Sequence, residues 1–289
     1  MDNSIVEKAL YQAGDQSRLV STVQIHGGSI NKSFYVETEK NQYFIKYHPD
    51  PPENFFHTEA HGLESIRRTD SVQVPEVFTY SDTPGEAFLV MEWIEGKAFQ
   101  ETDALLGEGI AKMHRAHAGK HGFSEDTYIG LLPQKNGLYE RWIDYYRESR
   151  LTAQWKLGIQ KGRIDGKRRE RMETLLAGLD KWIPSGIKAS CLHGDLWGGN
   201  WIIGSDGVPF VIDPSVLYGD RHFDLAFTEV FGGFSSQFYE AYNECYPIED
   251  YYQEVKPLYQ LYYLLVHLNL FGESYGSSVD AVLRRYTGK

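Results

Sequence analysis

Asp195, Asn200 and Asp213 fall within one stretch, Cys191–Pro214, which reads CLHGDLWGGNWIIGSDGVPFVIDP. Asp195 follows His193-Gly194, Asn200 comes five residues later, and Asp213 ends the apolar run Phe210-Val211-Ile212. One carboxylate that can accept a hydroxyl proton, plus an amide oxygen and a second carboxylate that can share a cation, is the equipment phosphoryl transfer needs. Charge builds on the phosphates and the leaving oxygen, and Mg2+ neutralises it. That ion prefers hard oxygen ligands and takes one or two from the protein. Asp195 suits the role of catalytic base, and Asn200 and Asp213 suit that of metal ligands.

Each residue alone has a plainer reading. An isolated His-Gly-Asp is a tight turn with a capping aspartate, and an Asp at a strand end is a cap. Together they say more, because Asp195 and Asn200 repeat the Asp-x-x-x-x-Asn spacing of kinase catalytic loops, and Asp213 follows where the second metal ligand belongs.

These groups need elements to aim them. Residues 4–13 read as a short helix, followed by a β-rich region. There Gly27-Gly28-Ser29 form a turn between two strands whose N–H groups could face phosphates, although a plain hairpin has the same sequence signature. In the next strand, Tyr43-Phe44-Ile45-Lys46-Tyr47, alternation puts Phe44 and Lys46 on one face. Lys46 either snorkels from an edge or reaches phosphate oxygens with an acid to hold it. Glu59 is the candidate acid, on a predicted helix over 55–68 where Phe56, Ala60, Leu63 and Ile66 recur at helical spacing. Strands at Val77–Tyr80 and Ala87–Glu92 lead into Glu92-Trp93-Ile94, an exposed linker whose backbone could meet an adenine edge. Composition turns from strand-rich to helix-rich here, so a lobe boundary is expected near Ile94, giving an N-terminal lobe over 1–94 and a C-terminal lobe over 95–289.

Beyond the boundary, Thr102–Ala118 is amphipathic with Thr102 as an N-cap. His114 and His117 lack a third metal ligand nearby and read as core or surface residues. Gly119–Gly137 reads as a loop, Leu138–Arg150 and Lys167–Trp182 as helices, and the basic stretch 156–171 as a solvated face. Asp224 opens a later helical run, as an N-cap or as a brace that accepts the catalytic loop's N–H groups. The aromatic-rich remainder reads as packed helices.

With 289 residues, 42% hydrophobic and 14% aromatic, the chain can bury a sizeable core in one large domain or two lobes. A formal charge of −11 argues against nucleic-acid binding. The two cysteines, Cys191 and Cys245, form no CxxC pair, so a reducing, cytoplasmic setting is expected. The N-terminus MDNSIVEKAL shows no signal-peptide pattern, and the apolar stretch 258–271 is too short to span a membrane. A monomer is expected.

The ordered set Gly27-Gly28-Ser29, Lys46, Glu59, the Glu92 linker, Asp195, Asn200 and Asp213 resembles the protein-kinase-like fold of small-molecule kinases. HGD and Asp-Pro look like the aminoglycoside phosphotransferase and choline kinase branch. LHGDLWGGNW, IDPSVLYGDRHFDLAFTEVFGGF and LYQLYYLLVHLNLFGESY strongly resemble the fructosamine kinase (ketosamine-3-kinase) family, from about Gly27 to the C-terminus. The resemblance implies an α+β, two-lobed fold with a small β-rich N-lobe and a larger helical C-lobe. It implies ATP- and Mg2+-dependent phosphorylation of O3 of a ketoamine, free or protein-bound, in support of deglycation. By analogy Asp195 is the base, Asn200 and Asp213 hold Mg2+, and Lys46 with Glu59 positions phosphate. Glu92, Trp93 and Ile94 would border adenine, and His193 and Trp197 the acceptor. Competing readings are an aminoglycoside- or choline-type phosphotransferase, a metallohydrolase built from His193, Asp195, Asp213 and His222, and an inactive nucleotide-binding module.

Overall fold

A helix, α1 (Asn3–Gln12), opens the described chain and packs on an antiparallel sheet of order β1-β2-β3-β5-β4. The strands are β1 (Leu19–Ile25), β2 (Lys32–Thr38), β3 (Gln42–His48), β4 (Val77–Ser81) and β5 (Ala87–Glu92), with α2 (Phe55–Arg67) between β3 and β4. The structure is a computed structural model and describes residues 3–26 and 30–288. The turn at Gly27, Gly28 and Ser29 therefore lies outside the described residues. Strand alternation divides the sheet's two faces. Tyr43, Ile45, Phe88 and Val90 join Val6, Ala9 and Leu10 of α1 in one cluster, whereas Ala87, Leu89 and Met91 join α2 in the main core.

The remaining chain is built around helices. These are α3 (Thr102–Arg115), α4 (Trp142–Tyr145), α5 (Ala153–Gln160), α6 (Gly166–Ala177), α7 (His222–Thr228), α8 (Ser236–Cys245), α9 (Tyr252–Phe271) and α10 (Gly276–Thr287). α9 runs through the middle, with Tyr259, Tyr262, Tyr263, Leu265 and Leu268 buried against α7 and α5. Between α4 and α5 the chain is π-helical over Tyr146–Thr152.

Short strands sit among the helices: β6 (His117–Ala118), β7 (His121–Gly122), β8 (Thr127–Ile129), β9 (Leu132–Gln134), β10 (Leu138–Tyr139), β11 (Ala189–Leu192), β12 (Trp201–Ile203), β13 (Pro209–Val211) and β14 (Leu217–Gly219). β11 lies inside the sheet of order β10-β7-β14-β11-β6, and β12 pairs with β13 as a hairpin. The structure thus corrects two expectations. Residues 119–137 are not plain loop but carry β7 and the β8–β9 hairpin, and helix begins only at Trp142. Strands of two or three residues are too short to show a period. The basic stretch 156–171 is also not wholly solvated. Arg168 is largely buried and pairs with Asp280 and Glu273, at 2.8 and 2.7 Å.

Contacts join the two regions on both sides of Ile94. Val211 donates its N–H to the Gln73 carbonyl at 2.9 Å, and Tyr128 of β8 donates its hydroxyl to the Glu53 carbonyl at 2.8 Å.

Candidate active site

The loop after β11 carries Asp195, and its shape is set by hydrogen bonds. Asp224, fully buried in the first turn of α7, accepts the backbone N–H groups of His193 at 2.6 Å and Gly194 at 2.9 Å. The same carboxylate meets the His114 Nε2 at 3.2 Å. Tyr263 of α9 donates its hydroxyl to the Gly194 carbonyl at 2.9 Å. Of the two roles expected for Asp224, the loop brace is the observed one. At the start of α7 it is Asp220, one residue before the cap position, that accepts the His222 N–H at 3.0 Å.

Gly194 sits at φ +82°, and a Cβ there would stand 1.9 Å from the Ser215 carbonyl oxygen. Both the backbone conformation and the contact with the Asp213-bearing segment require glycine. Gly194→Ala is expected to cost at least ~1–3 kcal/mol from backbone strain alone, read as a lower thermal midpoint together with lost activity.

Asn200 closes the loop from its far end. Its Nδ2 donates to the Asp195 carbonyl at 2.8 Å and to Asp195 Oδ2 at 3.0 Å. Its own carbonyl accepts the Ile212 N–H at 3.0 Å, next to Asp213. Asp213 occupies the left-handed region at φ 55°, a conformation that Asp and Asn tolerate better than most residues. With Nδ2 committed to Asp195, the Asn200 Oδ1 remains as that side chain's acceptor. Asp213, about 42% exposed, is paired with the ammonium of Lys46. One amide oxygen and one carboxylate already facing a cation form the hard-oxygen donor set that Mg2+ prefers, so these residues fit that ion.

Lys46 on β3 is buried and lies between two acids. Its Nζ is 2.6 Å from Glu59 Oε1 and also contacts Asp213 Oδ1. Burial works against its charge, but Asp213 and then Glu59 outweigh it and hold the ammonium well above its ordinary range. Glu59 is lifted above the usual carboxylate range by burial and by Asp213, against the pull of Lys46. One cation serves two acids here. Glu59 is placed by α2, whose first N–H groups, those of Phe56 and His57, are accepted by Asp82 at 2.7 and 3.0 Å. Glu59→Gln leaves the helix intact and weakens its hold on Lys46. A drop of about 10²-fold in kcat/KM is expected, the scale for ångström-sized misplacement, with thermal stability little changed.

Asp195 is half-buried, and desolvation raises its carboxyl to about 7; Asn200 opposes this, and the charges of Asp213 and Asp224 add to it. A carboxylate with that proton affinity suits a base at neutral pH. Beside it the exposed indole of Trp197 packs edge-on to Phe231, with ring centroids 6.4 Å apart. Trp197 also lies over Gly199, where a Cβ would come within 2.3 Å of the ring.

One expected contact is placed otherwise. His193 is fully buried. Its Nε2 lies 2.9 Å from the Ile212 carbonyl, and its Nδ1 accepts the Asp195 N–H at 3.3 Å. It shapes the loop and cannot face an acceptor. The Glu92 carboxylate accepts the Glu76 N–H at 3.1 Å, so it binds β5 to the chain entering β4, and only backbone at 92–94 is left for an adenine edge. Trp93 packs against Tyr35 with centroids 4.8 Å apart. The metallohydrolase set does not assemble either. His222 is buried beside Asp220 at 3.0 Å and Glu249 at 2.8 Å, and both His193 nitrogens are occupied.

Sequence reasoning missed Tyr263 and His114 as supports of the loop. Tyr263 lies in an apolar helical run and His114 near the basic end of α3, and nothing in their spacing marks a hydrogen bond to a distant segment.

A family model described as fructosamine kinase matches residues 1–288. The chain is 38% identical over 268 residues to the "Probable ketoamine kinase" of Enterococcus faecium, covering 91% of this chain and 94% of that one. It is similar, at 29% identity and TM-score 0.89, to the crystal structure of a candidate fructosamine-3-kinase from Thermobifida fusca, with 98% of each chain covered. The fold is also that of an aminoglycoside phosphotransferase, APH(4)-Ia, solved with ADP and hygromycin B. That match has TM-score 0.65 and 15% identity, with 99% of this chain and 100% of that one covered.

Proposed function

The chain belongs to the fructosamine kinase family, and from that premise we infer how its residues act on a ketoamine, the adduct of a sugar with an amine. The protein is an ATP-dependent ketoamine kinase with an α+β, two-lobed, protein-kinase-like fold. The observation that carries the mechanism is the convergence on one site of Lys46 from β3, Asp195 and Asn200 from the loop after β11, and Asp213 from just past β13. Residues 1–94 form the ATP-binding lobe, and residues 95–289 form the catalytic and acceptor lobe.

Asp195 accepts the proton of the ketoamine 3-hydroxyl as its oxygen bonds to the γ-phosphorus of ATP. The bond from that phosphorus to the β–γ bridging oxygen breaks, and ADP leaves. Lys46, steadied by Glu59, binds the α- and β-phosphates, and the backbone at 92–94 borders adenine. Asn200 Oδ1 and Asp213 would hold Mg2+, which supplies charge neutralisation on the phosphates when bound. Trp197 lines the acceptor side with Phe231.

The product has phosphate on the carbon next to the ketone. Phosphate departs far more readily than hydroxide, so the adduct decomposes and frees the amine, which is the deglycation outcome. Free and protein-bound adducts of ribose or glucose share the recognised group. No helix among the described residues is long and apolar enough to cross a membrane. Cys191 and Cys245 are free thiols, and burial pushes the Cys191 thiol up to about 12; free thiols suit a reducing, cytoplasmic setting.

The test is ATP turnover with ribulose-lysine, fructose-lysine and kanamycin as acceptors, with Asp195→Ala as the blank. Phosphate transfer to a ketoamine followed by release of lysine is the expected result, and it ranks the two sugars. Transfer to kanamycin alone would move the acceptor to the antibiotic class.

A further inference from the structure

A second cluster of ligating side chains lies on the outward side of α2. His57 and His61 are one helical turn apart and share a face. Glu125, from the segment between β7 and β8, reaches across to both. Its Oε2 is 3.2 Å from His57 Nε2 and 3.0 Å from His61 Nδ1. The ligand atoms of all three residues lie within 4.8 Å of one another. We propose that His57, His61 and Glu125 form a site for a first-row divalent cation of the Zn2+ class, distinct from the Asn200–Asp213 pair.

The donor chemistry selects the ion. Two imidazole nitrogens with one carboxylate oxygen suit Zn2+ and its neighbours, whereas Mg2+ takes oxygen ligands. Ligand atoms at about 2.0–2.2 Å from a tetrahedral Zn2+ stand ~3.3–3.6 Å apart, so the two carboxylate–imidazole separations of 3.2 and 3.0 Å need to open slightly, and the two imidazole nitrogens, within 4.8 Å of each other, need to settle into the same range. The orientation is prepared as well. His57 Nδ1 lies 2.9 Å from the Tyr80 hydroxyl, the kind of partner that fixes a ligating ring and leaves its other nitrogen free for metal. The His57 backbone is held by Asp82. With side chains about 38%, 31% and 40% exposed, the three residues leave a path for the ion and room for water as the fourth ligand. A cation there would tie the helix that carries Glu59 to a segment of the C-terminal lobe.

The experiment uses the full-length protein stripped by chelator and titrated with Co2+ in excess Mg2+, which occupies oxygen-only sites. The expected result is one equivalent of Co2+ with visible bands of four- or five-coordinate geometry, displaced by Zn2+. His61→Ala and Glu125→Gln, both at accessible positions, are expected to weaken binding at least ~10-fold. Zn2+ at about a hundred times its wild-type Kd is expected to raise the wild-type thermal midpoint by about 5 °C and both variants by no more than about half as much. Circular dichroism of the metal-free variants checks that they are folded. Absence of Co2+ bands, or bands that persist in both folded variants, would overturn the proposal and leave the cluster as a hydrogen-bonded latch. Kinase turnover is not the readout, so this result stands apart from the acceptor assays.

Discussion

Asp195→Ala is expected to lower kcat by about 10³–10⁴-fold, the upper part of the range for a positioned proton acceptor, with nucleotide affinity nearly unchanged. Asp195 makes no contact with Lys46 or Asp213 by hydrogen bond or ion pair in the described structure; its side-chain partner is the Asn200 amide. Removing the carboxylate therefore deletes the acceptor of the hydroxyl proton while the phosphate-binding groups stay in place. Single-turnover rates and ADP affinity measured side by side distinguish this from general damage. A variant that keeps near-normal kcat would remove Asp195 from the base role. One that loses ADP binding in parallel would show that the loop, rather than the proton, had been disturbed.

Asp213→Asn should have the second large effect. Asparagine tolerates the left-handed backbone found at φ 55°, so the exchange removes charge without imposing new strain. Wild-type ATP affinity is expected to rise strongly when Mg2+ is added. In the variant that gain should shrink to near nothing, with kcat/KM down by about 10³-fold, the scale of several kcal/mol of lost charge stabilisation. The measurement is ATP affinity with and without Mg2+ for both proteins. An unchanged Mg2+ dependence in the variant would refute the ligand assignment.

What could be read from the sequence was local. Asp195 and Asn200 are close enough in the chain for one loop to fix both, and the loop closes through a bond between those same two residues. Lys46 and Glu59 were legible because strand alternation and helical spacing each point a side chain predictably. Contacts between distant segments were not. His193 reads as a polar residue beside a catalytic acid, yet it is fully buried, with the Ile212 carbonyl, just past the end of β13, reaching its Nε2. Glu92 ends a strand as expected, but the partner of its carboxylate follows from the β4–β5 register. The His57-x-x-x-His61 pair drew no expectation from the sequence, and its third member lies 64 residues beyond His61 in a stretch with no periodicity.

The position of Lys46 has a consequence for the order in which charge enters the cleft. In the resting protein the lysine is the counter-ion of Asp213 as well as of Glu59. A divalent ion that took Asp213 Oδ1 would displace Lys46 from that oxygen, and a buried ammonium released from one acid gains from another anion beside it. Triphosphate supplies that anion. The two ligands therefore assist each other through the lysine, an exchange of counter-ions with reciprocal coupling. Free Mg2+ should bind weakly, ATP without metal should bind weakly, and the pair should bind far better than the product of the two.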